Sequence, residues 1–247
     1  MKAFKGQGRA MFAVYNTSGV LGPWYPFGNL VSMSVAPDSD KIEVTSTDPD
    51  TFGQRLDSLI EGKPATGKIS SNRFDHRTLA LCWQGSATAN TAVAGTVTDE
   101  SHTATLDGGI RLAHRDVSSV VVKDSAGTTT YDVGDDYTVD ALGGFVTPLT
   151  GGAITAASTI KISYSYGAQE GYKIAGSTEP SKFIALAFEG KNEFNGKRVS
   201  LDIKKCTITP TKDFDVMSKD PASAEFTLDI ILVDGETSSY QVYVPEM

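Results

Sequence analysis

The residues that most often carry chemistry in proteins are sparse in this chain of 247 residues. It has three histidines, His76, His102 and His114, and two cysteines, Cys82 and Cys206. The cysteines form no Cys-x-x-Cys pair, so the ligand spacing of structural zinc and of thioredoxin-like redox sites is missing. We expect two buried, reduced thiols and no metal-binding or catalytic role for the histidines.

Pairs of acidic residues are the second candidate for chemistry. Asp38 with Asp40, and Asp48 with Asp50, resemble half of a calcium loop, but no Gly and closing Glu follow at EF-hand spacing. The chain also lacks the nucleophile elbow G-x-S-x-G, the Walker loop, the zinc motif H-E-x-x-H and the dinucleotide motif G-x-G-x-x-G. The sequence therefore predicts a protein that is not an enzyme and carries no cofactor or metal.

The charge balance excludes a further class of function. Lys and Arg number 22 against 30 Asp and Glu, which gives a formal charge of -8 and an isoelectric point near 4.9. Binding to a nucleic-acid backbone needs clustered basic charge, so it is disfavoured. No apolar run suits a signal peptide or a bilayer-spanning helix, so we expect a soluble protein made in a reducing cytoplasm, without membrane insertion.

Alternation of apolar and polar residues dominates the pattern and predicts a mostly β chain. Three runs have the period of a strand with one buried face, and five more have strand composition. These predicted strands cover residues 31–35, 199–203 and 226–232, and residues 11–15, 117–123, 159–166, 184–188 and 240–244.

Two local signals shape the predicted sheet near its C-terminal half. Asn195 and Gly196 tolerate positive φ and predict a type I′ hairpin turn. Between Ile203 and Cys206 the apolar positions move by an odd number of residues, so a β-bulge at residues 204–205 is needed to keep both halves facing the core.

One helix is predicted at about residues 73–84. Asn72 can act as its N-cap, Asp75 lies in the first turn, and Gly85 suits a left-handed C-terminal position. Apolar residues at helical spacing predict the face that packs on the sheet: Phe74, Leu79, Leu81 and Trp83.

A change in composition marks an insertion. Residues 85–97 are almost all Ala, Thr, Ser, Gly and Val, which is typical of a linker. Residues 86–172 contain four basic and ten acidic side chains and therefore carry -6 of the total charge. We predict an inserted acidic β module at 86–172 within a β-sandwich domain made of residues 1–85 and 173–247.

The order of these elements resembles that of the major tail tube proteins of long, non-contractile bacteriophage tails. The resemblance is carried by PFGNLVSMSVAP, by SSNRFDHRTLALCWQG and, after the insertion, by FIALAFEGKNEFNGKRVSLDIKKCTITP. The insertion itself, with YDVGDDYTVDALGGFVTPLTGG, is similar to runs that recur in phage tail and virion structural proteins.

The resemblance implies an antiparallel β-sandwich or barrel with one flanking α-helix, related to the tube of type VI secretion systems. It implies six copies per ring, with rings stacked into a tail tube that conducts DNA and the tape measure protein. The tail terminator and distal tail or baseplate proteins are implied partners, DNA passes without specific binding, and the location is the virion after assembly in the host cytoplasm. In that family the segment matching residues 54–61 is extended, so we predict a strand there although Thr51 and Gln54 suggest a helical capping box.

Opposite charges suggest how such rings would stack. We expect an acidic loop at residues 38–57 to meet a basic N-terminal arm of the next ring. We also expect residues 1–10, residues 36–54 and the tail after residue 235 to become ordered only on contact. The residues of this predicted interface are Lys2, Lys5 and Arg9 in the arm, and Asp38, Asp40, Asp48, Asp50 and Arg55 in the loop.

Two alternatives come from other classes. Another virion or secretion-tube β protein, such as a receptor-binding or adhesin-like tail module, explains the inserted acidic module and predicts a monomer or discrete oligomer. A hydrolase needs a pocket with perturbed acids, for which the sequence offers no set of partner residues.

Overall fold

The computed structural model describes residue 3 and residues 5–244, and it divides the chain into two compact units. Unit 1 consists of residues 1–88 and 174–247, and unit 2 of residues 89–173. The sequence-based boundaries lie after residues 85 and 172, and the structure divides the chain after residues 88 and 173.

The described part of the chain is mostly β, as the alternating pattern predicted, with antiparallel sheets, one α-helix and no closed barrel. The elements in chain order are β1 (Gly6–Tyr15), β2 (Leu21–Pro26), β3 (Leu30–Thr45), β4 (Arg55–Ser71), α1 (His76–Cys82), β5 (Ser86–Ala92), β6 (Gly95–Thr103), β7 (Ile110–Arg111), β8 (Val117–Asp124), β9 (Tyr137–Asp140), β10 (Phe145–Pro148), β11 (Thr159–Tyr166), β12 (Gln169–Ala175), β13 (Phe183–Asn192), β14 (Arg198–Pro210), β15 (Ala224–Ile230) and β16 (Tyr240–Tyr243).

Unit 1 contains an eight-stranded antiparallel sheet in the order β2-β1-β13-β14-β15-β4-β3, with β16 paired to β14. Its core is centred on three phenylalanines that are at most 1% exposed, Phe12, Phe27 and Phe226. The ring of Phe27 lies edge-to-face with the other two, at centroid distances of 5.6 and 5.7 Å. This T-shaped geometry is one of the favoured arrangements of aromatic pairs. Strands β2 and β3 stand at the two ends of the sheet.

The predicted bulge in β14 is confirmed. Ile184 pairs with Cys206 and Leu186 pairs with Ile203, so residues 204–205 contain the extra residue. Ile203 and Cys206 are both at most 1% exposed. The odd step in the apolar pattern was therefore a sound signal, because both halves of the strand must bury the same face.

The predicted hairpin between β13 and β14 is also present, but its turn is not a type I′ turn. Five residues, 193–197, separate the two strands, and among the described residues Gly196, at +68°, is the one position in this turn with a positive φ. The amide of Gly196 donates to the carbonyl of Asn192 at 2.7 Å, which closes the longer loop.

The helix is shorter than predicted, and its caps differ. Its N-cap is Asp75, not Asn72, because the Asp75 carboxylate accepts hydrogen bonds from the amides of Arg77 and Thr78. The left-handed residue after the helix is Gln84, with φ of +47°, not Gly85. A Cβ at Gly85 would lie 2.0 Å from a carbonyl oxygen, so this glycine permits a close backbone approach instead.

The predicted apolar face of the helix is buried only in part. Leu81 is 4% exposed and belongs to the core of unit 1, and Phe74 packs against that core. Leu79 is half-buried, whereas Trp83 is 36% exposed and rests edge-to-face on Phe214. Trp83 therefore covers the end of the helix rather than filling the core.

Unit 2 has its own core. Two three-stranded sheets, in the orders β6-β11-β8 and β7-β10-β9, contribute to a single apolar cluster. The fully buried residues come from both sheets and include Val122, Val146, Ile160 and Ile162. Such a cluster is what an independently folded module requires.

Candidate functional site

The most conspicuous feature of unit 1 is a long two-stranded β-ribbon, residues 38–63, formed by the outer parts of β3 and β4. Strand β15 pairs with β4 only as far as Thr66, whereas β3 and β4 remain paired out to Thr45 and Arg55. Between Arg55 and Thr66 strand β4 therefore pairs with β3 alone, and β3, at the end of the sheet, pairs with β4 alone.

The predicted acidic loop at 38–57 is thus wrong, and so is the expectation that residues 36–54 form an arm without regular structure. Asp38 and Asp40 lie in β3, Arg55 lies in β4, and Asp48 and Asp50 lie in the turn between them. The strand predicted at residues 54–61 is confirmed from Arg55 onward. Alternation in the run KIEVT was the available signal for the ribbon, and the density of charged residues around it concealed that signal.

Hydrogen bonds within the turn hold the tip of the ribbon. The side chain of Ser46, which is 5% exposed, contacts the Thr51 hydroxyl at 2.7 Å and accepts from the amide of Asp48. The Asp48 carboxylate accepts from the amide of Asp50, so this acidic side chain caps the turn. Phe52, at the tip, is 76% exposed.

The register assigns each ribbon side chain to one of two faces, because directly paired residues in antiparallel strands project to the same side. Face 1 combines three exposed apolar residues with acids, since Ile42 pairs with Leu59 and Val44 pairs with Asp57. Its members are Asp38, Asp40, Ile42, Val44, Asp57, Leu59, Glu61 and Lys63. Face 2 includes Lys41, Glu43, Ser58 and Ile60, and an ion pair with Glu43 brings Arg55 to it. Leu56 lies at the irregularity in the register, and alternation from Asp57 assigns its side chain to this face.

Five apolar side chains on these two faces are largely exposed, from 49% for Ile42 to 69% for Ile60. Contiguous exposed apolar surface of this kind marks interaction sites in soluble proteins. A long exposed strand pair is also a recognised aggregation hazard unless a partner covers it. Sequence reasoning missed these apolar residues as functional candidates and named only the charged ones.

Several of the predicted contact residues are engaged within the chain. Asp40 forms an ion pair with Lys63 at 2.7 Å, and Arg55 forms one with Glu43 at 2.6 Å. Hydrogen bonds from Lys41, and then from Arg55, lower the pKa of the Glu43 carboxyl. These pairs stiffen the ribbon only slightly, since exposed ion pairs contribute little.

The structure describes Lys5 and Arg9 of the predicted basic arm, and both contact other parts of unit 1. Lys2 lies outside the described residues. The Lys5 ammonium pairs with Glu193 at 2.6 Å, and the Lys5 amide donates to Asn192. Arg9 lies in β1, opposite Glu189 in β13, so the expected arm at residues 1–10 is already a paired strand from Gly6 onward.

Arg9 belongs to a basic depression on the polar side of the sheet. This depression, of about 580 Å3, is lined by Gln7, Gly8, Arg9, Glu189, Gly190, Lys191 and Arg198. Three cations and one acid give it a formal charge of +2, whereas residues 38–63 hold seven acids against three cations, a formal charge of -4. The structure thus brings Arg9 together with Lys191 and Arg198, a grouping that the sequence pattern did not indicate.

A separate groove of about 710 Å3 lies on the other side of this sheet. Apolar side chains from four strands dominate its lining, and they include Met33, Val35, Phe188, Val199 and Leu201. None of the side chains lining it titrates. Acid–base catalysis needs such a group, so this groove has no means for it.

Unit 2 contains a polar network that joins three elements. Both oxygens of the Glu100 carboxylate are used: one accepts from His102 Nε2 at 2.8 Å, and the other accepts from the Tyr164 hydroxyl at 2.5 Å. Because the single hydroxyl proton of Tyr164 is directed to Glu100, His114 Nδ1 donates to Tyr164 at 3.1 Å. The His114 ring also stacks on Tyr166, with a centroid distance of 3.7 Å.

The network changes the acidity of its members. Burial alone would raise the pKa of Glu100, but hydrogen bonds from Tyr164 and His102 outweigh burial and lower it. Burial, and then the hydrogen bond to Glu100, raises the pKa of Tyr164. The Ala113 amide, which donates to Glu100, and His114, which contacts Tyr164, thus anchor the turn after β7 to β6 and β11, which the sequence pattern did not indicate.

The two cysteines are free thiols, with Cys206 buried and Cys82 half-buried. Burial raises the pKa of each thiol to about 12, which keeps both protonated and weakly nucleophilic. Within residues 5–244 and residue 3, no cluster of three or more His, Cys, Asp or Glu has metal-binding geometry. The same described residues contain no helix with the length and apolar character of a bilayer span.

Two comparisons relate this chain to known proteins. Residues 3–240 match the family described as protein of unknown function UCP028589. A stretch of 101 residues is 31% identical to the tail sheath protein of Burkholderia phage BcepMu, covering 40% of this chain and 19% of that protein. The match therefore spans about a fifth of that relative's length. The matched stretch of 101 residues is longer than either segment of unit 1, which has 88 residues at 1–88 and 74 residues at 174–247. The match therefore includes part of unit 2.

Proposed function

We propose that this chain, which belongs to the family UCP028589, is a structural subunit of a bacteriophage tail that assembles with copies of itself. In its finer form the proposal is a tail tube: six copies form a ring, and stacked rings form the conduit for DNA and the tape measure protein. The tail terminator and distal tail or baseplate proteins are its proposed partners, and the virion is its proposed location.

The observation that carries the proposal is the exposed ribbon. Residues 38–63 extend beyond the sheet with apolar side chains on both faces, which is unfavourable in an isolated protomer and favourable once neighbours cover them. Strands β2 and β3 end the sheet, and a ring of copies can join such edges and remove them. The relationship to a phage tail sheath protein supports the coarser statement, a tail structural role.

The polar side of the sheet supports the conduit. Directly paired residues form rows that run across the strands on this side. The two central rows are Ser34–Lys68–Thr227–Thr209 and Thr66–Asp229–Thr207. Most of these side chains are therefore short and uncharged. A wall of this kind offers a passing duplex few cations to bind, and phosphate contacts with cations dominate affinity for DNA. The proposal therefore assigns these central rows to the lumen, leaves the basic depression on the same side of the sheet to contacts between copies, and assigns the acidic charge of the chain to the ribbon and unit 2.

Unit 2 is proposed to project outward from the assembly. Its core and its polar network are internal, so tube formation does not require it. It is the part of the chain that suits a receptor-binding role, which remains the alternative for this module.

The sheath relative favours a second candidate, a subunit of a sheath rather than a tube. A sheath by definition surrounds another structure, so this candidate predicts assembly around a second component, whereas the tube proposal predicts assembly of the chain alone.

Electron microscopy of the purified protein across a concentration series tests the proposal. We expect hollow tubes of stacked rings, both for the full chain and for a variant in which a short Gly/Ser linker replaces residues 89–173. A chain that stays monomeric at high concentration contradicts self-assembly. A soluble deletion variant that cannot form tubes places unit 2 in the wall.

A further inference from the structure

The two faces of the ribbon differ chemically although both are apolar at their centre. Face 1 places four acids around its apolar residues, with Asp38 and Asp40 on β3 and Asp57 and Glu61 on β4, and has one cation, Lys63. Face 2 has two cations, Lys41 and Arg55, which share one acid, Glu43. The formal charges are therefore -3 and +1.

Neither face is covered within the described part of the protomer. On face 1, Val44 and Leu59 are 53% and 63% exposed, and on face 2, Leu56 and Ile60 are 65% and 69% exposed. A ribbon that lay on one flat surface would need apolar residues on a single face, with polar residues toward water, as half-buried antiparallel strands show. Apolar residues on both faces therefore indicate two covering surfaces.

Resting on the proposed self-assembly, we infer that the ribbon inserts between two other copies of this chain, with each face covered by a different copy. Charge complementarity selects the surface for face 1. The basic depression of Arg9, Lys191 and Arg198, with its formal charge of +2, is the counterpart of a face that carries -3. Face 2, which is weakly cationic, is covered by the other copy.

This arrangement has a consequence for the order of assembly. A site made by two copies exists only after those copies have joined, so a ribbon gains its full contact only on a completed neighbour. Single protomers thus bind one another through one face at most. The two-faced ribbon then favours growth on existing assemblies over association of free protomers.

Paired serine variants test whether both faces are used. One variant carries Ile42→Ser with Leu59→Ser, on face 1, and another carries Leu56→Ser with Ile60→Ser, on face 2. We expect each to raise the protein concentration needed for assembly about tenfold or more, where tenfold corresponds to about 1.4 kcal/mol. The matched control is Val216→Ser with Met217→Ser, which removes two side chains that are 84% and 97% exposed outside the ribbon. The control should assemble like the unmodified chain.

Thiol labelling gives a second readout that does not depend on weakening the contact. Val44→Cys and Ile60→Cys each place one reactive thiol on one face, while the two native thiols are held protonated by burial. We expect alkylation to slow at both positions when tubes form.

The outcomes distinguish a failure of this inference from a failure of the proposed self-assembly. If the unmodified chain forms tubes but one face tolerates serine, or one engineered thiol stays as reactive in tubes as in monomers, the ribbon lies on a single surface and the inference is wrong. If the unmodified chain forms no tubes, the proposed function fails and the inference falls with it.

Discussion

The two units of this chain differ in how many large apolar side chains they expose. Among the described residues, unit 1 exposes nineteen large apolar side chains and unit 2 exposes five, although unit 1 is only about twice as long. In unit 1 several of them are contiguous on the ribbon, whereas those of unit 2 are scattered along its sequence. Scattered apolar residues are normal on a protein surface, but contiguous ones mark a contact.

The acidic residues show the same contrast. In unit 2 the carboxylates of Asp107, Asp124 and Asp136 bind backbone amides and hydroxyls of nearby turns, and these hydrogen bonds lower the pKa of each. In the ribbon Asp40 and Glu43 pair with cations, whereas Asp38, Asp48 and Asp57 accept, within the described part of the chain, only from an amide one or two residues further along. The acids of unit 2 are thus bonded within their own module, and this difference supports the proposal that assembly uses the surface of unit 1.

The largest expected effect is a loss of stability when a core residue of either unit is truncated, and it tests whether the two units unfold independently. Phe226→Ala should destabilise unit 1 by about 3–5 kcal/mol, and Ile162→Ala should destabilise unit 2 by about 2–5 kcal/mol, since both side chains are fully buried. Trp24 and Trp83 are the two tryptophans of the chain and both lie in unit 1, so tryptophan fluorescence reports on that unit. Phe226→Ala should lower the fluorescence midpoint in urea, whereas Ile162→Ala should lower only the circular dichroism transition of unit 2. An equal fluorescence shift in both variants would show that the units unfold as one.

A smaller contrast lies within unit 1, at the helix. Leu81 is 4% exposed in the core, so Leu81→Ala should cost about 2–5 kcal/mol. Trp83 is 36% exposed and loses chiefly its contact with Phe214, so Trp83→Ala should cost less than Leu81→Ala despite removing more atoms. Urea denaturation of both variants decides the order, and a larger loss at Trp83 would reverse our assignment of the buried face.

The sequence predicted most of the strands because burial on one face imposes a period of two, which can be read without tertiary information. The bulge at residues 204–205 could be predicted for the same reason. The helix caps could not, because Asn72 and Asp75 are both good N-caps, and only the three-dimensional arrangement decides between them. Gly85 was misread because close backbone approach and positive φ both favour glycine.

The candidate site was predicted less well than the fold. Charged residues at 38–57 directed attention to this segment, but the ribbon on which they lie depends on pairing between β3 and β4. The basic depression combines Arg9 with Arg198, which are far apart in sequence and adjacent only through β13. The Glu100 network has the same origin, since a contact of 64 residues' separation has no local signal.

Glu100→Gln should produce an intermediate effect confined to unit 2. Hydrogen bonds to a charged group contribute about 1.5–3 kcal/mol, so the variant should lower the stability of unit 2 by that order at pH 7. The folded-state pKa of Glu100 is lowered, so its stabilising contribution is fully present above the ordinary value near 4.5 and declines as the pH falls below it. Thermal unfolding at pH 7 and at acidic pH should therefore show a difference from the unmodified chain that shrinks with acidity.

The matched control is Glu170→Gln, at an exposed position of unit 2. It should leave the unfolding midpoint unchanged at both pH values. A constant difference for Glu100→Gln across the pH range would mean that the lost stability does not come from the carboxylate charge.

The smallest expected effect concerns the charges at the tip of the ribbon. Asp48→Lys with Asp50→Lys should leave the fold intact by circular dichroism, and it should raise the concentration needed for assembly only a few-fold. Exposed ion pairs contribute about 0.2–1 kcal/mol each, and physiological salt screens them over about 8 Å. Reversing the basic depression, with Arg9→Glu and Lys191→Glu, should give a defect of similar size, measured by light scattering.

Combining the two charge reversals distinguishes direct contact from general repulsion. If ribbon and depression face each other in the assembly, the quadruple variant should recover part of the loss, because opposite charges are again opposed. Added salt should diminish the defect of each double variant, since screening weakens repulsion as well as attraction. Glu170→Lys, which changes the charge in unit 2, serves as the control and should assemble normally. Unchanged assembly in both double variants would show that neither the tip carboxylates nor the cations of the depression contribute to the contact.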